Sequence, residues 1–166
     1  MDRPFAFGIV GSRRRNTLHD RQIVFRLIDW LAQTHGGMGA ENITIVSGGC
    51  EKGADWFAKE YAFIICENVF EYIEFPIDKK GITGKWDFTK RAFARNRLVA
   101  ERSRNGLFCL VSEDRTGGTE NAIGHALELQ VPVFLVNNLG EVFLSQDGKF
   151  PQCEPAARLL DLKFID

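Results

Sequence analysis

Three short glycine-rich stretches carry the residue types that bind phosphate. Gly11-Ser12-Arg13, Ser47-Gly48-Gly49 and Gly117-Gly118-Thr119 each follow an apolar run and precede a helical pattern. Glycine lets backbone N–H groups turn outward beside the positive end of a helix dipole, where an anion is stabilised. One such stretch is a weak indication, because glycine is also the default residue of tight turns. Three of them in one chain predict a shared anion site.

Charged side chains near these stretches could complete the site. Arg13 supplies a cation on the first one, and Arg95-Asn96-Arg97 lies on a predicted helix, where an arginine can fork onto phosphate oxygens. Two plainer interpretations stay open. Arg97 could pair with Glu101 across one helical turn, and the three successive arginines from Arg13 to Arg15 could form a solvated loop.

The second glycine stretch is followed by Gly53-Ala54-Asp55, which opens a helix. Two roles are open for Asp55. In the first turn its carboxylate would stabilise the positive end of the helix dipole. Near a nucleotide it could instead accept hydrogen bonds from sugar hydroxyls.

Apolar runs typical of strands alternate with helical patterns along the chain. The run at 69–76 alternates apolar and acidic residues, which predicts a strand at a sheet edge. The alternation predicts an α/β, three-layer Rossmann-like fold with a mostly parallel sheet, in which ligands bind outside the carboxyl ends of the strands. The three glycine stretches should therefore meet. Strands are predicted at 5–10, 42–46, 69–76, 106–111 and 131–136, and helices from Thr17 to about Gly36, at 54–67, at about 89–103 and at 121–130.

The remaining segments carry less chemistry. The stretch from Ile77 to Phe88 has no clear periodicity and is a candidate flap, with Trp86 either stacking on a base or anchoring the loop. Near the C-terminus, 141–150 resembles a hairpin with a tight turn at Asp147-Gly148, and a short helix is predicted around Pro155 to Leu160. We expect one domain over 1–166, with a core at about 5–137 and the hairpin and helix in 138–166.

Composition excludes several classes of protein. A net charge of -1 over 166 residues argues against a wholesale basic nucleic-acid binder. The four scattered cysteines lack the paired spacing of a zinc site, so no metal and no cofactor are predicted, and free thiols suit a reducing cytoplasm. No leader and no bilayer-length apolar run is evident, which predicts a soluble cytoplasmic protein without membrane partners.

In order and spacing, these motifs resemble the SLOG superfamily, the Rossmann-like group that includes the DNA-processing protein DprA (Smf) and the LOG phosphoribohydrolases. The resemblance covers about residues 5 to 137 and would make the chain a single SLOG-like domain. Ser47-Gly48-Gly49 with Gly53 and Asp55 is similar to the Ser-Gly loop of the DprA branch, and Arg95-Asn96-Arg97 to its Arg-Asn-Arg. The resemblance implies that the loops hold phosphate and ribose, that Arg95 faces the ligand, and that the protein forms a homodimer.

The LOG glycine motif ends in a glutamate linked to N-glycosidic bond cleavage, and Ala122 stands at that position here. The leading hypothesis is therefore a stand-alone domain, such as a sensor, that binds a nucleotide or a nucleotide-derived sugar phosphate. The alternative is a phosphoribohydrolase-like N-glycosidase acting on nucleoside monophosphates with Glu120 and Arg95 as catalytic residues. A weaker alternative is single-stranded nucleic-acid binding, which would be strongly salt-dependent.

Overall fold

A computed structural model of the chain describes residues 4–35, 42–65, 70–144 and 157–158. Strands and helices alternate as the apolar pattern predicts. The elements are β1 (Phe5–Gly11), α1 (Leu18–His35), β2 (Ile43–Ser47), α2 (Ala54–Glu60) with a π-helical continuation (Tyr61–Ile65), β3 (Glu71–Glu74), α3 (Lys85–Arg102), β4 (Gly106–Leu110), α4 (Gly118–Glu128), β5 (Val133–Val136), β6 (Glu141–Leu144) and β7 (Ala157–Arg158).

The strands form one sheet in the order β3-β2-β1-β4-β5-β6-β7. The five strands from β3 to β5 run parallel, and β6 and β7 are antiparallel additions. The predicted α/β Rossmann-like fold with a mostly parallel sheet is confirmed, and β3 lies at the edge that its alternating pattern indicates. From β1 the chain adds β2 and β3 on one side of the sheet and then β4 and β5 on the other, so the strand order reverses between β1 and β4. Open α/β sheets bind their ligands at such a position.

Each face of the sheet carries its own apolar core. On one face, α1 and α2 pack on the strands through side chains such as Ile23, Leu27 and Phe57. On the other, α3 and α4 pack through Val99 and Ile123, among others. Because the helices after β1 and β4 lie on opposite faces, a crevice opens between the carboxyl ends of these two strands.

Gly11 closes β1 where α2 begins. A Cβ at this position would lie 2.9 Å from the Cβ of Ala54 and 3.0 Å from the Cβ of Leu110. Both distances are shorter than carbon atoms tolerate without a shift. The missing side chain therefore brings the first turn of α2, and with it Asp55, against the loop after β1.

Helix α3 begins four residues before its predicted start. Asp87 falls in its first turn, where its carboxylate stabilises the helix dipole and accepts a hydrogen bond from the amide of Thr83. The predicted loop from Ile77 to Phe88 is therefore shorter than expected. Trp86 belongs to the helix and is 77% exposed.

The predicted C-terminal helix around Pro155 to Leu160 is wrong at the two residues that can be compared. Ala157 and Arg158 form strand β7 and pair antiparallel with β6. Strand pairing satisfies backbone groups that would otherwise leave β6 with an open edge. The other residues of this predicted helix, and the predicted Asp147-Gly148 turn, lie outside the described residues.

Candidate functional site

A cavity of about 630 Å³ opens where the loops after β1, β2 and β4 converge. Its volume lies in the range of small-molecule sites. The structure thus brings together most of the residues that the sequence selects. Those that line the cavity are Gly11, Ser12, Arg13, Gly48, Asp55, Arg95, Asn96, Gly117, Gly118 and Thr119.

The N-terminus of α4 forms one wall of this cavity. Within the described part of the chain, no side chain caps the helix at Gly117, whose φ of 99° and ψ of -163° place it in a region open almost only to glycine. The first N–H groups of a helix have no intrahelical acceptor. Thr119 lines the same wall and is only 6% exposed, yet among the described residues its hydroxyl has no hydrogen-bond partner. This wall therefore offers donors that suit an anion.

Asp55 organises the loop after β2. One of its oxygens, Oδ2, accepts hydrogen bonds from the hydroxyl of Ser47 at 3.2 Å and from the amides of Gly48 at 3.0 Å and Cys50 at 3.4 Å. Burial raises the pKa of this carboxyl, and nearby Arg95 and these hydrogen bonds offset part of the rise. Asp55 does lie in the first helical turn, but its carboxylate holds the preceding loop in place.

Arg95 and Asn96 connect the second loop to the third. The guanidinium of Arg95 donates to the carbonyl of Gly48 through Nη1 and to Oδ1 of Asn96 through Nε at 3.0 Å. Asn96 in turn donates from Nδ2 to the carbonyl of Gly118 and to Oδ1 of Asn121, each at 3.1 Å. Burial lowers the pKa of Arg95, and Asp55 counteracts this effect. The chain of contacts fixes the two glycine loops relative to each other.

Arg97 faces away from the cavity. Its Nε lies 3.0 Å from Oε1 of Glu101, one turn along α3, and its side chain is about half exposed. Two interpretations were open for the Arg95-Asn96-Arg97 motif, an anion clamp and a salt-bridged surface. Only Arg95 and Asn96 line the cavity and could form such a clamp. Arg97 belongs to the salt-bridged helix surface.

The three successive arginines have separate environments, so the interpretation of a uniformly solvated loop is wrong. Arg13 lines the cavity, and its Nε lies 3.3 Å from the sulfur of Cys50. Arg14 forms a bidentate pair with Asp114 at 2.6 and 2.7 Å and also donates to the hydroxyls of Ser112 and Thr116. These bonds join the loops after β1 and β4 at the mouth of the cavity, and together with bonds from Ser112 and Thr116 they hold the pKa of Asp114 well below its usual range.

Arg15 is buried and structural. Its Nε donates to Asp20 at 2.7 Å, and its two Nη atoms donate to the carbonyls of Val111, Val136 and Asn137. The guanidinium therefore ties the ends of β4 and β5 to the first loop. In the sequence, the local feature that distinguishes this buried arginine from its two exposed neighbours is Asp20, five positions later.

Four of the selected residues do not line the cavity. Ser47 lies behind the loop, bonded to Asp55, and Gly49 lines a neighbouring cavity. Gly53 precedes α2, where its amide donates to Oδ1 of Asn16 and a Cβ would lie 3.0 Å from the carbonyl oxygen of Ser12. Glu120 forms a bidentate pair with Arg115 at 2.5 and 2.9 Å. The proposed catalytic carboxylate is therefore occupied by a surface arginine, because Arg115 lies in the turn just before α4.

An apolar wall of the cavity was not predicted. It consists of Phe88, Ala92 and Phe93, which project from α3, with Ala122 of α4. The spacing of the first three residues is helical, so an earlier start of α3 would have placed them on one face. Trp86, for which stacking on a base and anchoring of the loop were the two open roles, does not line the cavity.

Across residues 4–35, 42–65, 70–144 and 157–158, no group of His, Cys, Asp or Glu side chains is placed to hold a metal ion. None of the described helices is long and apolar enough to cross a membrane. Comparison with protein-family models, curated proteins and solved structures found no match to this chain.

Proposed function

We propose that the cavity binds the phosphate of a nucleotide or a nucleotide-derived sugar phosphate. The observation that carries the proposal is the convergence of three glycine loops around an uncapped helix N-terminus, with Thr119 on the same wall and its hydroxyl without a hydrogen-bond partner among the described residues. Helix N–H groups and a hydroxyl donor match the acceptor oxygens of a phosphate. The resemblance of the loop motifs to the SLOG superfamily supports the same ligand class.

Two arginine side chains supply positive charge that would balance the negative charge of a phosphate. Arg13 lies on the cavity wall with its side chain exposed, and Arg95 contributes a partly buried guanidinium to the same cavity. Arg95 uses Nη1 and Nε for Gly48 and Asn96, which holds the guanidinium in a fixed orientation. Among the described residues, its Nη2 has no acceptor. A preoriented guanidinium binds an anion with a smaller loss of side-chain entropy.

The base and sugar would lie against the apolar wall. Phe88, Ala92 and Phe93 present carbon surface to the cavity, and aromatic rings contact nucleobases well. We favour binding over cleavage for this site. Ala122 lines the cavity where a LOG enzyme would have its glutamate, and the carboxylate of Glu120 is held by Arg115.

The test is titration calorimetry at fixed salt with AMP and GMP. Arg95→Ala should weaken binding by about tenfold to a hundredfold, because a hydrogen bond to a charged group contributes about 1.5–3 kcal/mol. Thr119→Val should weaken it by about twofold to tenfold, as expected for a neutral hydrogen bond of about 0.5–1.5 kcal/mol. Since that hydroxyl has no protein partner, Thr119→Val should not lower the free energy of unfolding.

Arg97→Ala is the matched control, since it removes an arginine from the same helix outside the cavity. Its affinity should stay within twofold of the unmodified protein. Absence of binding by folded protein at millimolar AMP and GMP would overturn the proposal. Equal losses in Arg95→Ala and Arg97→Ala would show that the charge acts nonspecifically, and would also contradict it.

A further inference from the structure

A second cavity of about 610 Å³ adjoins the first. The two share a wall that includes Arg13, Cys50, Ile77, Phe88 and Arg95. A ligand whose phosphate reaches Arg13 and Arg95 in the first cavity therefore has a direct continuation into the second. Nothing in the nucleotide-phosphate proposal uses this second space.

The second cavity is predominantly basic. Besides the shared arginines, Lys52, Lys59 and Lys79 line it, against the two acidic residues Glu51 and Glu74. Lys59 lies 3.0 Å from Glu74 and is neutralised by it. Lys52 and Lys79 are exposed and have no ion pair within the described part of the chain. Uncompensated charge of this kind favours a second anionic group.

An aromatic side chain lies in the same cavity. Trp56, in the first turn of α2, is 42% exposed and lines the space together with Pro76. A large indole left half exposed beside lysines offers a stacking surface to a planar ring. The cavity thus combines the two features that recognise a phosphorylated nucleoside.

We propose that the second cavity holds the other half of a two-headed nucleotide, one in which two nucleosides are joined through phosphates. The joining phosphates would lie at the shared wall between Arg13 and Arg95, and the second nucleoside would stack on Trp56 with Lys52 and Lys79 nearby. This inference rests on the nucleotide site proposed for the first cavity. It goes further by assigning the ligand class as a dinucleotide and by giving Trp56 the role of binding its second half.

The experiment compares a mononucleotide, a nucleoside diphosphate and a dinucleotide by calorimetry, namely AMP, ADP and diadenosine diphosphate with their guanosine counterparts. In the unmodified protein, the dinucleotide should bind at least tenfold more tightly than the nucleoside diphosphate. Trp56→Ala should remove that advantage and leave AMP affinity within twofold, whereas Trp56→Phe should restore part of it. Lys52→Ala combined with Lys79→Ala should weaken dinucleotide binding by tenfold or more.

Trp86→Ala and Lys90→Ala serve as controls, because both side chains are exposed on α3 and line neither cavity. Thermal melting of each variant shows whether it is folded. A dinucleotide that binds no more tightly than the nucleoside diphosphate would overturn this inference and leave the mononucleotide site intact. Absence of binding by every probe would overturn both proposals. An advantage that survives Trp56→Ala would contradict the assignment of the second cavity.

Discussion

Asp55 and Arg95 hold the backbone of Gly48 from two sides. The carboxylate of Asp55 accepts the hydrogen bond of the Gly48 amide, and the guanidinium of Arg95 donates to the Gly48 carbonyl. The two side chains come from α2 and α3, which pack on opposite faces of the sheet. The loop after β2 is therefore held by two side chains of opposite charge, one from each face of the sheet, and its position depends on both helices.

This arrangement predicts the effect of Gly48→Ala. A Cβ at Gly48 would lie 2.5 Å from Nη1 and 2.8 Å from Cζ of Arg95, so the guanidinium must move. We expect AMP binding to weaken by about tenfold, the loss expected for one charged hydrogen bond. Gly124→Ala is the control, since nothing lies within 4 Å of its added methyl on α4. Calorimetry of both variants checks this, and equal affinities would contradict it.

Removing the charge of Asp20 should destabilise the fold. Arg15 and Asp20 form an ion pair whose side chains are 5% and 7% exposed. Asp20→Asn leaves the guanidinium without its counter-ion, which costs about 3 kcal/mol of the free energy of unfolding. Urea denaturation at pH 7 measures this loss. Glu101→Gln, which affects a half-exposed pair with Arg97, should change the value by no more than about 0.5 kcal/mol.

The same pair gives a pH dependence of defined sign. Burial would raise the pKa of Asp20, but hydrogen bonds from Arg15 and Thr17 outweigh it and lower the pKa. A lowered pKa contributes stability that is present above the unfolded-state value of about 3.9 and is lost as the pH falls through the folded-state value. The stability difference between the unmodified protein and Asp20→Asn should therefore shrink below about pH 4. A difference that grows on acidification would contradict this.

Glu120→Gln should leave the ligand site unaffected. The carboxylate pairs with Arg115 and does not line the cavity, so nucleotide affinity should stay within twofold. Because the pair is partly exposed, the free energy of unfolding should fall by no more than about 1 kcal/mol. Incubation with nucleoside monophosphates, followed by chromatography of free base, tests the N-glycosidase alternative in the same preparation. Base release that Glu120→Gln abolishes would refute our preference for binding over cleavage.

Gly11→Ala should lower stability more than binding. The added methyl would meet the Cβ atoms of Ala54 and Leu110 at 2.9 and 3.0 Å, and overpacking of this kind costs about 1–3 kcal/mol. Since Leu110 belongs to a central strand, the strain falls mainly on the core. Denaturation in urea should show the loss directly. A variant as stable as the unmodified protein would mean that α2 shifts without cost.

The element order from β1 to β5 could be predicted from the sequence, because apolar runs that end in glycine mark parallel strands and their loops. Residues brought together by that topology, such as Gly48 and Gly117, were correctly expected at one sheet end. Side-chain partners could not be predicted in the same way. Glu120 follows a glycine loop, but its carboxylate is held by Arg115, a non-glycine residue with a positive φ of 52°, and no local pattern predicts this partner.

The three arginines show the same limit. Arg13, Arg14 and Arg15 are adjacent and chemically identical, yet their environments differ. Arg13 and Arg14 line the cavity, Arg14 is also paired with Asp114, and Arg15 is buried. Their environments follow from loop geometry and from distant partners, 37 residues away for Arg13, 100 for Arg14 and 121 for Arg15, which no local pattern contains. Nucleotide binding, homodimer formation, SLOG membership and a cytoplasmic location stay predictions.

The pairing of β1 with β4 has a consequence for synthesis of the protein. Phe7 is in register with Gly106, so β1 acquires this second neighbour only after about a hundred further residues have been made. The cavity takes its walls from the loops that follow both strands. A chain truncated before α4 therefore lacks one wall of the cavity. The cavity is completed late during translation, whereas the pairing of β1 with β2 can form early.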